Sequence, residues 1–301
     1  MLSIKPFIFL LYIQNKPQNC IPKRKRKFNP VAILQKQKAV IFHLLFPKFV
    51  NPSLLFQSII AKLFMTIHKF SGYEELSAAT ASLIIEVLKQ KPEALICIAS
   101  GDTPLGVCKI LAKSDPQLFV KCTFVGLDEW VGMDENDEGS CKFGIYQYLL
   151  KPLNIPHERI KYFDAKAIDL TSECAKINDF IVSRGGLDVM LVGVGMNGHI
   201  ALNEPHTAFE SYAHVSDLED ITISVGQKYF KKPTILTQGI TLGLKHLQEA
   251  KLPILIANGA KKSSVIKKAL TEQISEAFPA SIFQRITHSL VMLDHEAAQL
   301  L

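Results

Sequence analysis

Apolar residues follow two alternating patterns from residue 65 to the end of the chain. Short apolar runs predict buried strands at residues 95–99, 121–127, 187–194, 252–257 and 289–293. Elsewhere, apolar positions recur every three or four residues, which predicts amphipathic helices. These helices are predicted at residues 73–90, 104–113, 141–150 and 171–184, within the strand-to-helix passage 238–250, and after residues 258 and 279.

The order of these segments predicts the fold class. Strands and helices alternate, which is typical of an α/β fold: a single three-layer domain, mostly a parallel sheet with helices on both faces (Rossmann-like). Thr171 is the predicted N-cap of its helix, and the run at residues 289–293 is predicted to close the sheet.

Polar residues crowd behind the central apolar run. Residues 187–205 read LDVMLVGVGMNGHIALNEP, so Asn197, His199, Asn203 and Glu204 follow directly after a predicted strand. Ligands of open α/β sheets bind outside the carboxyl ends of the strands. A strand-to-loop turn with a structural histidine is the alternative, but four hydrogen-bonding side chains in one turn favour a site.

Chemistry-bearing residues also follow three other predicted strands. The loop at residues 100–103 reads SGDT before Pro104, which is typical of an anion cradle at a helix start, although an unliganded N-cap loop has the same sequence. Asp128 and Glu129 are placed for general base work, or belong to a solvated loop. Lys262 is either a phosphate counter-charge or an exposed lysine at a helix start.

Charge is distributed unevenly along the 301 residues. Residues 1–64 contain eleven Lys or Arg and no Asp or Glu, whereas the rest contains 23 Lys or Arg against 28 Asp or Glu. We interpret residues 1–64 as a basic extension outside the domain, included by incorrect upstream translation; a targeting or surface-binding arm is the alternative. The predicted domain covers residues 65–301.

The composition sets further expectations. The six cysteines show no zinc-type spacing, which favours core residues in a reducing, cytoplasmic compartment and no metal. The apolar run at residues 6–13 is too short to span a bilayer, and no DNA-reading pattern accompanies the basic run at residues 23–27. We therefore expect neither a membrane nor a nucleic acid as partner.

Taken together, the motifs resemble those of the amino-sugar-6-phosphate deaminases (isomerases) over residues 65–301. The matching stretches are SGDTPLG, FVGLDEWVG, GSC, GGLDVMLVGVGMNGHIALNEP, QGITLGLK and FPAS. The combination of LDEWVG with NGHIALNEP is specific to this family and looks closer to its galactosamine-6-phosphate branch than to its glucosamine-6-phosphate branch. The related 6-phosphogluconolactonases share the fold and a GH-containing turn.

The resemblance implies a role for each matching residue. Asp128 matches the base that moves a proton between C2 and C1, His199 the residue that opens the sugar ring, and Glu204 the carboxylate that orients His199. Asn197 stands where the glucosamine branch usually has a second carboxylate beside the histidine, and Lys228 where that branch has an arginine. The implied contacts to the substrate phosphate are made by Ser100, Gly101, Asp102, Thr103, Lys228 and Lys262.

The implied function is conversion of galactosamine-6-phosphate, or glucosamine-6-phosphate, to a ketohexose 6-phosphate plus ammonia. We expect an enzyme classed as a hydrolase, isomerase and deaminase, without a cofactor. Its expected partners are the small sugar phosphate and, in a homo-oligomer, further copies of the chain. A 6-phosphogluconolactonase is the first alternative. A sugar-phosphate-sensing regulatory domain is the second.

Overall fold

The computed structural model describes residues 65–301. The predictions for residues 1–64 lie outside the described residues. Within the described part the chain forms these strands: β1 (Thr66–Phe70), β2 (Leu95–Ile98), β3 (Thr123–Val125), β4 (Asp128–Trp130), β5 (Ile160–Lys161), β6 (Val189–Val192), β7 (His214–Asp217), β8 (Gln238–Thr241), β9 (Pro253–Ala257) and β10 (Leu290–Asp294).

Helices connect the strands. They are α1 (Tyr73–Gln90), α2 (Asp102–Leu111), α3 (Cys141–Ile145), α4 (Leu170–Ser183), α5 (Asp220–Gly226), α6 (Leu244–Glu249) and α7 (Ser263–Thr271). A π-helical turn, Tyr146–Leu150, continues α3. Short 3₁₀ turns cover Pro116–Phe119, His157–Arg159, Gln227–Tyr229, Ala260–Lys262 and Pro279–Gln284.

Seven strands form one parallel sheet in the order β1-β10-β9-β6-β2-β3-β5. Successive residues of its central strands point to opposite faces, and both faces are covered by apolar helix residues. In β6, Met190 and Val192 join the core beneath α4, α6 and α7, whereas Val189 and Leu191 join the core beneath α1, α2 and α3. The predicted three-layer α/β fold is confirmed.

The chain reverses its direction of travel across the sheet between β2 and β6. From β2 it continues to β3 and β5 on one side, and then crosses to β6, β9 and β10 on the other. The loops after β2 and β6 therefore leave adjacent strands in opposite directions and open a crevice at their carboxyl ends. The loop after β9 borders the same crevice, because β9 is the other neighbour of β6.

A second sheet of three antiparallel strands, in the order β4-β8-β7, lies apart from the parallel sheet. The sequence predicted one apolar strand at residues 121–127. The structure instead ends β3 at Val125 and begins β4 at Asp128. Asp128 and Glu129 are therefore the first two residues of a strand in the second sheet, opposite Thr241 and Ile240 of β8.

Two other predictions of detail are wrong. The run at residues 289–293 does not close the sheet, because β10 lies between β9 and the edge strand β1, which the sequence pattern had not revealed. The N-cap of α4 is Asp169, whose carboxylate accepts the Ser172 N–H at 3.0 Å, and not Thr171. Either side chain suits a cap, and the chain path into the helix selected the aspartate.

Candidate active site

The imidazole of His199 lies over the backbone of Gly195 in the loop that follows β6. A Cβ atom at Gly195 would stand 2.3 Å from His199 Nε2, so any side chain there would displace the ring. Gly198 has a φ of +85°, and a Cβ there would stand 2.5 Å from the Phe278 ring. The sequence GMNGH therefore needs both of its glycines to seat the histidine.

Hydrogen bonds fix this loop against the second sheet. Asn203 is 1% exposed, and its Nδ2 donates to the carbonyls of Ile200 and Leu242, both at 2.8 Å. The Leu202 N–H donates to Thr241 Oγ1 at 3.3 Å, and Thr241 is the residue opposite Asp128 in the sheet. Asn203 is thus a structural member of the polar cluster, and it ties the histidine loop to the strand that carries Asp128.

One side of the His199 ring is held by two polar groups. His199 Nδ1 lies 3.0 Å from Thr222 Oγ1 and 3.5 Å from Glu204 Oε2. Glu204 is buried, and burial opposes its ionisation, but its hydrogen bonds with His199, Thr222 and Asn197 outweigh that effect. The pKa of Glu204 therefore lies below its ordinary value, and the carboxylate is an anion beside the imidazole.

The resemblance had placed Asn197 beside the imidazole. In the structure, the hydrogen bonds of the Asn197 side chain go to other groups. Its Nδ2 donates to Glu204 Oε2 at 2.7 Å, and its Oδ1 accepts the backbone N–H of His199 at 3.2 Å. Asn197 was counted among the catalytic residues that the resemblance implies, and that role stays a prediction. The amide braces Glu204 and the turn, because its donor faces the carboxylate oxygen that also faces the ring.

Asp128 and Glu129 are both buried, but their surroundings differ. Burial, followed by repulsion from Glu129, raises the pKa of Asp128 to about 7, although the Cys141 thiol donates to its carboxylate and lowers it. Glu129 has a full set of donors, all within 3.0 Å: the N–H groups of Trp130, Cys141 and Lys142 and the Ser140 hydroxyl. Glu129 thus anchors the start of α3, while Asp128 keeps capacity to accept a proton.

The Cys141 side chain joins Asp128 to the loop after β2. The Ser100 hydroxyl donates to the Cys141 sulfur, and the thiol in turn donates to Asp128. Burial is the main cause that raises the pKa of the Cys141 thiol, and the charges of Asp128 and Glu129 add to it. Cys141 is therefore a neutral donor to Asp128.

The predicted phosphate loop begins at Ser100. Gly101 has a φ of +106°, and a Cβ there would stand 3.0 Å from the Tyr229 hydroxyl. The Thr103 hydroxyl donates to Asn258 Oδ1 at 2.6 Å, which joins the loops after β2 and β9. The loop leads into α2, whose N-terminal N–H groups and dipole favour an anion.

The structure brings both predicted lysines to this loop. Lys262 Nζ donates to the Val194 carbonyl in the loop after β6. Burial, and then the nearby Lys228 charge, lower the pKa of Lys262 to about 8. Lys228 Nζ lies 2.6 Å from Asp102 Oδ2, so the Asp102 carboxylate faces a lysine, and only its backbone N–H is available to a phosphate. The assignment of Asp102 to the phosphate loop stays a prediction, and its carboxylate is paired with Lys228.

Four residues of this region had not been singled out in the sequence. Thr222 and Tyr229 lie on α5 and the turn after it, a segment without a strong apolar pattern, so no local signal marks them. Cys141 and Asn258 each follow a recognised motif at a loop-to-helix start and were within reach of sequence reasoning. The four are Thr222 at His199, Tyr229 at Gly101, Cys141 at Asp128 and Asn258 at Thr103.

Two general features of the described residues bear on the site. Among residues 65–301, no group of three or more His, Cys, Asp or Glu side chains is arranged to hold a metal ion. Over the same range, no helix is long and apolar enough to cross a membrane.

Comparison with known proteins assigns this arrangement to a family. Residues 71–292 match the family described as glucosamine-6-phosphate isomerases/6-phosphogluconolactonase. The match covers more than half of the chain, and the crevice at the switch point carries the residues described above. The chain belongs to this family of sugar-phosphate enzymes, and the prediction of an enzyme is confirmed.

Individual relatives show which enzymes of the family this chain is similar to. The chain is 36% identical over 230 residues to a glucosamine-6-phosphate deaminase of Bacillus velezensis, covering 75% of this chain and 95% of the relative. It is 35% identical to the enzyme of the same name from Shouchella clausii, covering 78% and 96%. A solved structure, described as a monomeric glucosamine-6-phosphate deaminase, superposes with a TM-score of 0.76 at 32% identity, covering 79% of this chain and all of the other.

These relatives correct two expectations. They are named deaminases, so the expected classification as a hydrolase is wrong. They also carry glucosamine-6-phosphate in their names, and the expected closeness to the galactosamine branch finds no support among them. The 6-phosphogluconolactonase of Trypanosoma brucei is 22% identical with a TM-score of 0.64, which shows a shared fold alone.

Proposed function

We propose that this chain is an amino-sugar-6-phosphate deaminase that converts glucosamine-6-phosphate and water to a ketohexose 6-phosphate and ammonia. The observation that carries the proposal is the buried Asp128, with a pKa of about 7, hydrogen-bonded through Cys141 to Ser100 of the phosphate loop. A carboxylate that accepts and returns a proton near neutral pH suits an aldose–ketose isomerisation.

Ring opening is the first step. His199 is partly exposed, with 20% of its side chain accessible, and Nδ1 faces Glu204 and Thr222. Its Nε2 is the nitrogen that can move a proton from the anomeric hydroxyl to the ring oxygen. The anionic Glu204 stabilises the imidazolium formed during this transfer, and Asn197 keeps Glu204 in place.

Proton transfer between two carbons follows. Asp128 removes the C2 proton of the open aldehyde, and the electrons of the C–H bond form the C1=C2 double bond. The carbonyl electrons move to O1, which takes a proton from water to give the enol. Return of the proton to C1 leaves an imine at C2, which takes up water and releases ammonia. Because Asp128 is buried, the proton it holds stays available for C1.

The phosphate group aligns the sugar for these steps. Ser100, Gly101 and Thr103 lie at the start of α2, and Lys228 and Lys262 supply positive charge beside them. Binding energy from the phosphate, which does not react, can then hold C1 and C2 against Asp128. The loops after β2 and β9 supply Ser100, Gly101, Thr103 and Lys262, so the sheet sets their spacing, whereas Lys228 comes from the turn after α5.

The test is ammonia release by the purified protein from glucosamine-6-phosphate, with galactosamine-6-phosphate and 6-phosphogluconolactone as comparison substrates. We expect release from glucosamine-6-phosphate, and a loss of about a thousandfold or more in turnover for Asp128→Asn, the upper range for a positioned acid/base. Faster opening of the lactone, retained in Asp128→Asn, would instead identify a lactonase. Binding of sugar phosphate without turnover of any of the three would identify a sensor.

Three expectations stay predictions beside this proposal. The domain boundary at residue 65 and the cytoplasmic location rest on composition alone. A homo-oligomer also stays a prediction, and one solved relative is described as monomeric.

A further inference from the structure

The segment from Asp220 to Phe230 contacts both ends of the proposed substrate site. Near its start, Thr222 Oγ1 lies 3.0 Å from His199 Nδ1. Seven residues later, the Tyr229 hydroxyl covers Gly101 of the phosphate loop. Between them, Lys228 Nζ lies 2.6 Å from Asp102 Oδ2. One short segment thus links the histidine to the phosphate loop, and the Asp102–Lys228 ion pair is its charged contact with that loop.

In this ion pair, the Asp102 carboxylate occupies the side of Lys228 that the proposed site needs for the substrate phosphate. Lys228 Nζ lies 4.8 Å from the centre of the Tyr229 ring, whose hydroxyl covers Gly101, so the ammonium lies beside the phosphate loop. The Asp102 side chain is 72% exposed and is free to turn outward. Burial and then the Lys228 charge lower the pKa of Lys262, whereas the Asp102 charge raises it. The charges of Lys228, Asp102 and Lys262 therefore act on one another at the phosphate loop.

We propose that Asp102 is the counter-ion of Lys228 in the free enzyme and that the substrate phosphate must displace it. The inference rests on the proposed function, because it assigns Lys228 to the phosphate. A phosphate dianion beside the Asp102 carboxylate would be repelled by it, whereas outward rotation of Asp102 leaves Lys228 to the phosphate. Asp102 thereby sets the affinity of the site, and it does so by competition.

When the phosphate displaces Asp102, it also replaces Asp102 as the group that joins segment 220–230 to the phosphate loop. In the free enzyme the Asp102 carboxylate joins Lys228 to the loop, and in the complex the phosphate takes that place. Since Thr222 lies on the same segment as Lys228, a bound phosphate holds the segment that supports His199. Phosphate binding and ring-opening geometry are then coupled through residues 220–230.

The experiment is titration of the full-length protein with inorganic phosphate by calorimetry at low salt, comparing wild type with Asp102→Asn. An exposed ion pair contributes up to about 1 kcal/mol, so its removal is expected to tighten phosphate binding by up to about fivefold. Asp102→Glu keeps the charge and should bind as weakly as wild type. Glu138→Gln removes a matched carboxylate, paired at 3.0 Å with Lys231 just beyond the segment, and should leave the affinity unchanged.

Salt gives a second readout. The gain in Asp102→Asn should shrink towards 1 M salt, where the Debye length falls to about 3 Å and competition between exposed charges is screened. Equal or weaker phosphate binding by Asp102→Asn at low salt would overturn the proposal, because a residue that only supports the loop loses affinity when it is removed.

Ammonia release measured on the same samples separates this inference from the proposed function. Release of ammonia with unchanged phosphate affinity in Asp102→Asn overturns the displacement alone. Tighter phosphate binding in that variant without ammonia release from any amino-sugar phosphate supports the displacement and overturns the proposed reaction.

Discussion

Asp128 and Glu129 are adjacent buried carboxylates that differ in the donors around them. Glu129 is 2% exposed and accepts four hydrogen bonds, three of them from backbone N–H groups, so its oxygens are occupied. Asp128 is held chiefly by the Cys141 thiol, a weak donor. Burial therefore acts on Asp128 with little opposition, and its pKa rises to about 7. The sequence DE offers two equal candidates for the base, and the environment distinguishes them.

The pH dependence of turnover should reflect Asp128. The proposed base acts as a carboxylate, so we expect kcat/KM to fall on the acidic side of pH 7. Cys141→Ala removes a donor that lowers the pKa of Asp128, and the acidic limb should move to higher pH. The measurement is the pH profile of kcat/KM for both proteins, with Cys174→Ala, a buried cysteine on α4, as control. An unmoved limb in Cys141→Ala would mean that the thiol does not bond Asp128 in solution.

At the scale of elements, α5 and the turn after it complete a site built mainly from strand ends. The parallel sheet supplies the loops after β2, β6 and β9, and the second sheet supplies Asp128. None of these loops places a hydroxyl on His199 Nδ1, and Thr222 of α5 does so at 3.0 Å. Thr222 is 4% exposed, so its hydroxyl has no ready exchange with solvent. The segment therefore contributes to the orientation of the ring.

Loss of the Thr222 hydroxyl should reduce turnover. Thr222→Val keeps the shape but removes the hydrogen bond, and a buried bond of about 1.4 kcal/mol corresponds to about tenfold in kcat. Thr222→Ser retains the hydroxyl and should keep most of the activity. Steady-state kinetics and thermal unfolding together distinguish a role in orienting His199 from a purely structural one. A purely structural effect would appear in both variants as loss of thermal stability. Wild-type kcat in Thr222→Val would exclude a role in orienting His199.

At the scale of the whole molecule, Asp128 is expected to cost stability at neutral pH. In the unfolded chain its pKa is near the ordinary value of 3.8, and in the folded protein it is about 7. A raised pKa contributes stability below the lower value, and this contribution is lost as pH rises through the higher one. Asp128→Asn should therefore gain stability over wild type between pH 4 and pH 7 and hold it above, by a few kcal/mol. Thermal unfolding at pH 5 and pH 8 measures the difference, and an equal gain at both values would contradict a pKa near 7.

The domain boundary can be tested by shortening the chain. A protein that begins at Met65 retains β1, which pairs with β10 along Thr66–Phe70, and it should unfold cooperatively and stay active. A protein that begins at Ser71 loses this edge strand and should melt at lower temperature, because β10 would lose a hydrogen-bonded neighbour. Thermal unfolding and ammonia release compare the two. Insolubility of the protein that begins at Met65 would show that residues 1–64 support the fold.

The sequence by itself determined the α/β layering and the loops that carry the chemistry. The apolar runs at β2, β6 and β9 are continuous because both faces of those strands are buried, and this is a local signal that a single sequence displays. The residues behind them, Ser100, His199 and Lys262, are likewise marked by glycines and polar clusters at strand ends. The bounds of α1, Tyr73–Gln90, agree with the prediction because Glu74 and Glu75 suit its first turn and Pro92 follows its end.

Only the tertiary structure decided which of these side chains meet. Asn197 faces Glu204 and not the imidazole, and Asp102 faces Lys228, 126 residues away along the chain. The separate sheet β4-β8-β7, which buries Asp128, also depends on pairing between distant segments. The physical reason is that periodicity records how one segment is buried, whereas hydrogen-bond partners and the pKa of a buried carboxylate depend on atoms from several segments.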